Sequence, residues 1–413
     1  MTDQHQKALL DIVRYQLFGG EKPSVRDDDI PAILKEAQAQ TVFTTVFPFL
    51  KNDLKRISPE SLAAKQEIFF ANVMTNTANF MEHGELHRLM TENRIPYCTL
   101  KGIASAYYYP EASLRDMGDV DFLVNDRDFA AAKQAVLGAG FVVDHGDDAD
   151  GIHVAFSRPP MSIWEQHRSV NGIPGGVAGE KIRAELTHII ETAELIELDG
   201  AVCFIPDAFH HGLIMLLHII SHMTSEGIGL RHLCDWAVFV NRLDSDAFRT
   251  LFEVKLKSFG MWRFAQIMTL VSERYLGVSR KEWAQNEEID GTLLEELMTD
   301  ILNGGNFGKK DLNRYREIKY ISNRGEGTVD RKNVISQAFA TLNQKTCKDF
   351  ALIDRHRALL PAGWIAEGGK YVGLLFKGQR KSQKTAAMLR EAAKRKDIYS
   401  QMALFAAPDS EER

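Results

Sequence analysis

The stretch LKGIASAYYYPEASLRDMGDVDFLV, Leu100–Val124, decides how the chain is read. It opens on Lys101-Gly102 at the end of a short apolar run, IPYCTL, which has the composition of a strand. It closes on a second strand-like run, GDVDFLV, that carries Asp119 and Asp121 on either side of one valine. Residues two apart on a strand share a face. The two carboxylates therefore project together, while Val120 and Phe122 project into a core behind them. Like charges held that close repel unless something positive lies between them. A divalent cation meets that need, and hard carboxylate oxygens suit Mg²⁺. By itself this spacing also fits a solvent-facing edge strand with two harmless aspartates.

Working outward, Asp126 is placed to cap a helix over DFAAAKQAVLG, with Gly138 and Gly140 as stops. FVVDHG, IHVAFSRP and SIWEQHRSV read as three further strands, giving the order β-α-β-α-β-β-β and a mixed sheet with helices on it. SIWEQHRSV puts Glu165 on one face with His167, and Trp164 and Gln166 on the other. Glu185 in KIRAELTHII is a rival third acid, but the helical spacing of Ile182, Leu186 and Ile189 favours Glu165. KIRAELTHIIETAELIE as a whole reads as helix, followed by a short strand at AVCFIP.

Residues 1–90 read as helices without chemical features, and the chain reads as helical from Asp207 to the end. The expected architecture is α+β: a small mixed-sheet core over 91–205, between helical regions over 1–90 and 206–413. Hydrophobic residues make up 45% and charged residues 26%, the profile of an ordinary soluble protein, and a net charge of -6 argues against a polycation that coats nucleic acid. Four scattered cysteines, Cys98, Cys203, Cys234 and Cys347, give neither a disulfide framework nor a zinc motif and fit a reducing cytoplasm. No signal peptide or transmembrane segment is expected. A basic run, Lys370, Lys377, Arg380, Lys381, Lys384, Arg390, Lys394, Arg395 and Lys396, reads as a solvated helix face, or as a contact surface for nucleic acid or acidic lipid.

NGGNFGKKD, Asn303–Asp311, reads as a loop and fails the phosphate-loop pattern, with Asn303 in place of the first glycine and Lys310 in place of Ser or Thr. FHHGLIMLLHIISHM sets His211, His218 and His222 on one helical stripe. They read as core or interface histidines, as a wall of a nucleotide pocket, or as a metal pair at His218 and His222, although the glutamate of an H-E-x-x-H helix is absent. Asp235 is free to pair with Arg231 or a histidine.

The pieces Leu100-Lys101-Gly102, Tyr109-Pro110, Arg115, Gly118-Asp119-Val120-Asp121, Glu165-Gln166-His167 and GLRHLCDWAVFV agree in order with one pattern. It resembles the bacterial uncharacterised nucleotidyltransferase family, within the DNA polymerase β-like nucleotidyltransferase superfamily, over roughly residues 90–245. The resemblance implies a transferase that moves a nucleoside monophosphate from a nucleoside triphosphate to an acceptor hydroxyl and releases pyrophosphate. It implies Asp119, Asp121 and Glu165 as catalytic residues and ligands of Mg²⁺, or of Mn²⁺ in its place. Lys101, Gly102, Arg115, Gly118 and His167 would bind nucleotide or phosphate. The acceptor stays open among a small molecule, a protein or peptide side chain, and an RNA end. The turn departs from the superfamily's usual Gly-Gly or Gly-Ser, since Ile103 follows Gly102 and offers no hydroxyl. A catalytically silent nucleotide-binding scaffold and a toxin-like transferase acting on RNA are the other readings.

Overall fold

The computed structural model describes residues 3–146, 153–308, 310 and 393–406. Four helices lead: α1 (Gln4–Phe18), α2 (Ile30–Ala39), α3 (Phe43–Ile57) and the 34-residue α4 (Pro59–Glu92). There follow β1 (Tyr97–Thr99), α5 (Ile103–Ala106), β2 (Val120–Val124), α6 (Phe129–Gly138), β3 (Val142–His145), β4 (His153–Ser157) and β5 (Trp164–His167). Then come α7 (Gly176–Leu186), β6 (Glu194–Leu198), β7 (Ala201–Ile205), α8 (Ala208–Met223) and α9 (Leu230–Arg242). The described helical part closes with α10 (Ser245–Phe248), α11 (Val254–Phe259), α12 (Trp262–Leu276), α13 (Gly291–Gly304) and a helical segment over 393–401. The α+β expectation holds.

The main sheet has five strands in the order β1-β2-β5-β4-β3. Only β2 and β5 run parallel, and their register sets Asp121 beside Glu165 and Leu123 beside His167. Alternation sorts the two faces. Val120, Phe122, Val124, Trp164, Val154 and Phe156 form one apolar cluster with Leu86, Leu89 and Met90 of α4 and Phe129, Ala132 and Val136 of α6. Burying each large side chain there contributes roughly 1.5–3 kcal/mol. With that face committed to the core, Asp121 and Glu165 must lie on the opposite face.

Opposite them runs α8, apolar nearly all round and capped by Asp207, whose side chain accepts from His210 N at 2.9 Å. Its core is shared by helices from both ends of the chain: Leu9 and Ile12 of α1, Phe43 and Phe47 of α3, Trp236 of α9, and Ile301 of α13 belong to one cluster. Gly212 permits this packing, because a Cβ there would lie 2.7 Å from the Phe252 ring.

Two local expectations change. Asp126 opens a short 3-10 turn, and α6 begins only at Phe129. The second half of KIRAELTHIIETAELIE is not helix: α7 stops at Leu186, and Glu194–Leu198 is a strand that pairs antiparallel with β7. Asp199 and Gly200 both have positive φ, 49° and 81°, the pair of values a tight hairpin turn requires. The strand also buries Ile196 in a cluster with Phe80 of α4 and Ile103 of α5, which outweighs the helical propensity of its glutamates. The helix after Gly102 has only four residues, so it supplies little dipole for an anion.

Most of the basic C-terminal run, Lys370 to Arg390, lies outside the described residues, as does Cys347. Arg395 is not on a solvated face: it is buried and pairs with Asp300 at 2.8 Å. No helix among the described residues is long and apolar enough to cross a membrane.

Candidate active site

A cavity of about 260 Å³ lies between the polar face of the main sheet and the helices α8 and α9. Its walls include Lys101, Gly102, Gly118, Asp119, Asp121 and Arg231. Gly102 holds φ 54° and ψ -108°, a backbone that a side chain would strain, and this turn delivers Lys101 to the acidic strand. The turn before Asp119 is held from α4: Asn76 accepts from Met117 N at 2.9 Å and donates to Ser113 O at 2.7 Å, and Asn79 donates to Gly118 O at 2.9 Å. Gly118 itself has open space where a Cβ would point.

Asp121 is 7% exposed and is the hub of the site. Lys101 Nζ and His167 Nε2 each lie 2.9 Å from its Oδ1, and His167 Nε2 lies 3.4 Å from Glu165 Oε2. Burial by itself would raise the Asp121 carboxyl, but Lys101 and His167 outweigh it and hold the group below the usual carboxylate range. Burial likewise opposes charge on His167 and Lys101, yet the carboxylates beside them raise both. Asp119 stands just before the first residue of β2 at the mouth of the cavity. Its carboxyl is raised, first by partial burial and then by repulsion from Asp121 and Glu165.

Asp119 and Asp121 on the cavity wall, with Glu165 beside Asp121 on the neighbouring strand, offer hard oxygen donors that fit a divalent cation. Asp121, Glu165 and His167 have ligand atoms that all lie within 4.8 Å of one another, as do His145, His153 and Glu165, whereas Asp119 belongs to neither group and stands slightly apart from the trio named by the sequence.

Other residues expected at the site are placed differently. Arg115 lines the cavity as expected, but it is 5% exposed and its guanidinium is engaged by Asp235, also in the lining, with Nε and Nη2 at 2.8 and 2.7 Å from the two carboxylate oxygens. Tyr109 Oη donates to the same carboxylate at 2.8 Å. Asp235 therefore pairs with Arg115 and not with Arg231 or a histidine. Glu185 is remote from the trio and pairs with Lys255 at 2.7 Å. The histidine stripe divides: His218 lines the cavity, whereas His211 stacks on Tyr108 with ring centroids 5.0 Å apart.

Several cavity residues were not legible as such. Arg231 donates from Nη1 to the Asp116 carbonyl at 3.2 Å, and its Nε is buried without a hydrogen-bond partner. Asn306 and Phe307, in the stretch that fails the phosphate-loop pattern, form another wall. Asn306 packs so close to Gly229 that a Cβ on the glycine would lie 2.7 Å from its Cα. Behind the lining, His83, from a helix with no chemical signature, abuts Gly102; burial lowers it to about 4.

No curated protein matches the chain. A profile described as "Uncharacterised nucleotidyltransferase" matches residues 26–277, which span α2 to the end of α12 and contain every sheet and cavity residue above except Asn306 and Phe307. With more than half of its length matched, the chain belongs to this uncharacterised nucleotidyltransferase family.

Proposed function

We propose that this chain transfers a nucleoside monophosphate from a nucleoside triphosphate to an acceptor hydroxyl and releases pyrophosphate, with Mg²⁺, or Mn²⁺ in its place, at the acidic wall. The observation that carries the reading is the pairing of Asp121 with Glu165 across adjacent parallel strands, with Asp121 and Asp119 lining the cavity. Asp119, Asp121 and Glu165 would hold the cation. When bound, it neutralises charge that grows on the phosphoryl oxygens and the leaving pyrophosphate.

The chain's own groups have separable roles in this reading. Glu165 accepts the proton of the acceptor hydroxyl as its oxygen bonds to the α-phosphorus and the bond to pyrophosphate breaks. His167 orients Asp121 and Glu165 through its two contacts. Lys101 balances the acidic wall and reaches the phosphates from the Gly102 turn. Arg231 takes the phosphate-gripping role first expected of Arg115, because Arg115 is committed to Asp235 while Arg231 Nε has no partner. Lys101 and Arg231 together compensate for the hydroxyl missing at Ile103. The acceptor remains a small molecule, a protein or peptide side chain, or an RNA end.

The test is transfer of label from α-labelled and γ-labelled triphosphates to acceptors in a cell extract. The reading expects α-label on an acceptor, no γ-label, and loss of both transfer and pyrophosphate release in Asp119→Ala/Asp121→Ala. Transfer of γ-label would make the chain a phosphotransferase. Absence of any transfer or triphosphate binding by folded protein would support the silent scaffold.

A further inference from the structure

Beside the acidic wall, His218 and His222 of α8 and His232 of α9 form a second cluster, whose ligand atoms all lie within 4.8 Å of one another. Their ring centroids are 4.4, 5.4 and 5.5 Å apart. Three imidazoles bound tetrahedrally through nitrogens about 2.0–2.1 Å from zinc have centroids about 5 Å apart. The backbones thus already stand at the spacing of a three-histidine site, and side-chain rotation brings the nitrogens inward. His222 Nδ1 and His232 Nε2 are buried without a hydrogen-bond partner, and His232 is only 3% exposed. Buried polar atoms left this way are costly unless a ligand takes them up.

We infer that His218, His222 and His232 bind a transition-metal dication of the zinc class, with the fourth position open to the cavity that His218 and His232 line. This site is separate from the oxygen-donor wall, and the inference does not rest on the nucleotidyl-transfer reading. Nitrogen donors select zinc-like ions as carboxylates select Mg²⁺. Burial lowers all three imidazoles, so they are neutral, the ligating form, at neutral pH. Lys101 and Arg231 add to that lowering at His218 and His222, and they favour a metal carrying an anionic fourth ligand. Gly229 N–H lies 3.4 Å from His232 Nδ1; ligation through Nε2 moves the ring proton to Nδ1 and gives up this long contact. Phe307, with its centroid 4.7 Å from that of His222, closes the cluster from the side.

The experiment is titration of the metal-stripped, tag-free full chain with Co²⁺, read by visible absorption, which is intense for four-coordinate nitrogen sites and weak for six-coordinate oxygen sites. It is run on the wild type and on Asp119→Ala/Asp121→Ala, where the acidic wall has lost two of its three carboxylates. The inference expects an intense spectrum saturating at one Co²⁺ per chain in both, displaced by Zn²⁺. His222→Gln, with His218→Gln as a second variant in case one fails to fold, should abolish the spectrum while circular dichroism is retained. No intense spectrum in the wild type, or an unchanged one in both folded variants, would overturn it.

Discussion

The Arg115–Asp235 pair offers the clearest quantitative test of how the cavity is built. Both side chains are nearly inaccessible, at 6% and 12%, and the contact is bidentate, so solvent screening is small. Asp235→Ala leaves a buried guanidinium without its counter-charge, close to a second arginine, Arg231, and it also removes the acceptor of Tyr109 Oη. Breaking a buried pair from one side costs about 3–5 kcal/mol, and a stranded hydroxyl about 1–3 kcal/mol more. We expect Asp235→Ala at or above the top of the first range and Arg115→Ala within it. The double variant should cost less than the sum of the singles by about 2 kcal/mol or more, since each single already breaks the same interaction. The assay is urea unfolding followed by near- and far-ultraviolet circular dichroism, compared only where the two transitions coincide. Singles costing under about 1 kcal/mol and adding without coupling would refute the reasoning and return Arg115 to a phosphate-binding role.

Removing Arg231 by Arg231→Ala should weaken triphosphate binding tenfold or more while Arg115→Lys changes it little, measured by calorimetry; the reverse order would exclude Arg231 as the phosphate grip. His167 is raised above its unfolded value of about 6.5 by Asp121 and Glu165, against its burial and the Lys101 charge, with the neighbouring His153 lowered. Its contribution to stability is therefore complete below about pH 6.5 and fades as pH rises through the raised value. The depressed Asp121 adds stability above about pH 4 that is lost as pH falls toward its folded value. The melting-temperature gap between wild type and His167→Gln should narrow from pH 6 toward pH 9, and a constant gap would contradict the raised histidine. Gly229→Ala should cost roughly 1–3 kcal/mol by overpacking against Asn306 and reshape the Asn306–Phe307 wall; thermal unfolding indistinguishable from wild type would show that this wall yields freely.

What could be read in advance followed from local pattern. The alternation in DVDFLV and WEQH assigns Asp121 and Glu165 to the face opposite Phe122 and Trp164, and the sheet keeps that assignment. The strand at Glu194–Leu198 was hidden by helix-forming residues, although Asp199-Gly200 carried the hairpin signal. Arg115 could not be told from a ligand-binding arginine, because its partner Asp235 lies 120 residues away. Separation in sequence also hid Asn76 and Asn79, 37 and 39 residues from the carbonyls they brace before the acids, and His83, which abuts Gly102 from the same motif-free helix. The three-histidine cluster needs α9 to bring His232 against α8, and no spacing within one helix shows that.

The most direct test of the acidic wall is calorimetric binding of each of the four nucleoside triphosphates, with and without Mg²⁺, to wild type and Asp119→Ala/Asp121→Ala. The account predicts Mg²⁺-dependent binding of at least one triphosphate by the wild type and none by the double variant, with both folded. Binding that is unchanged in the double variant, or indifferent to Mg²⁺, would contradict it.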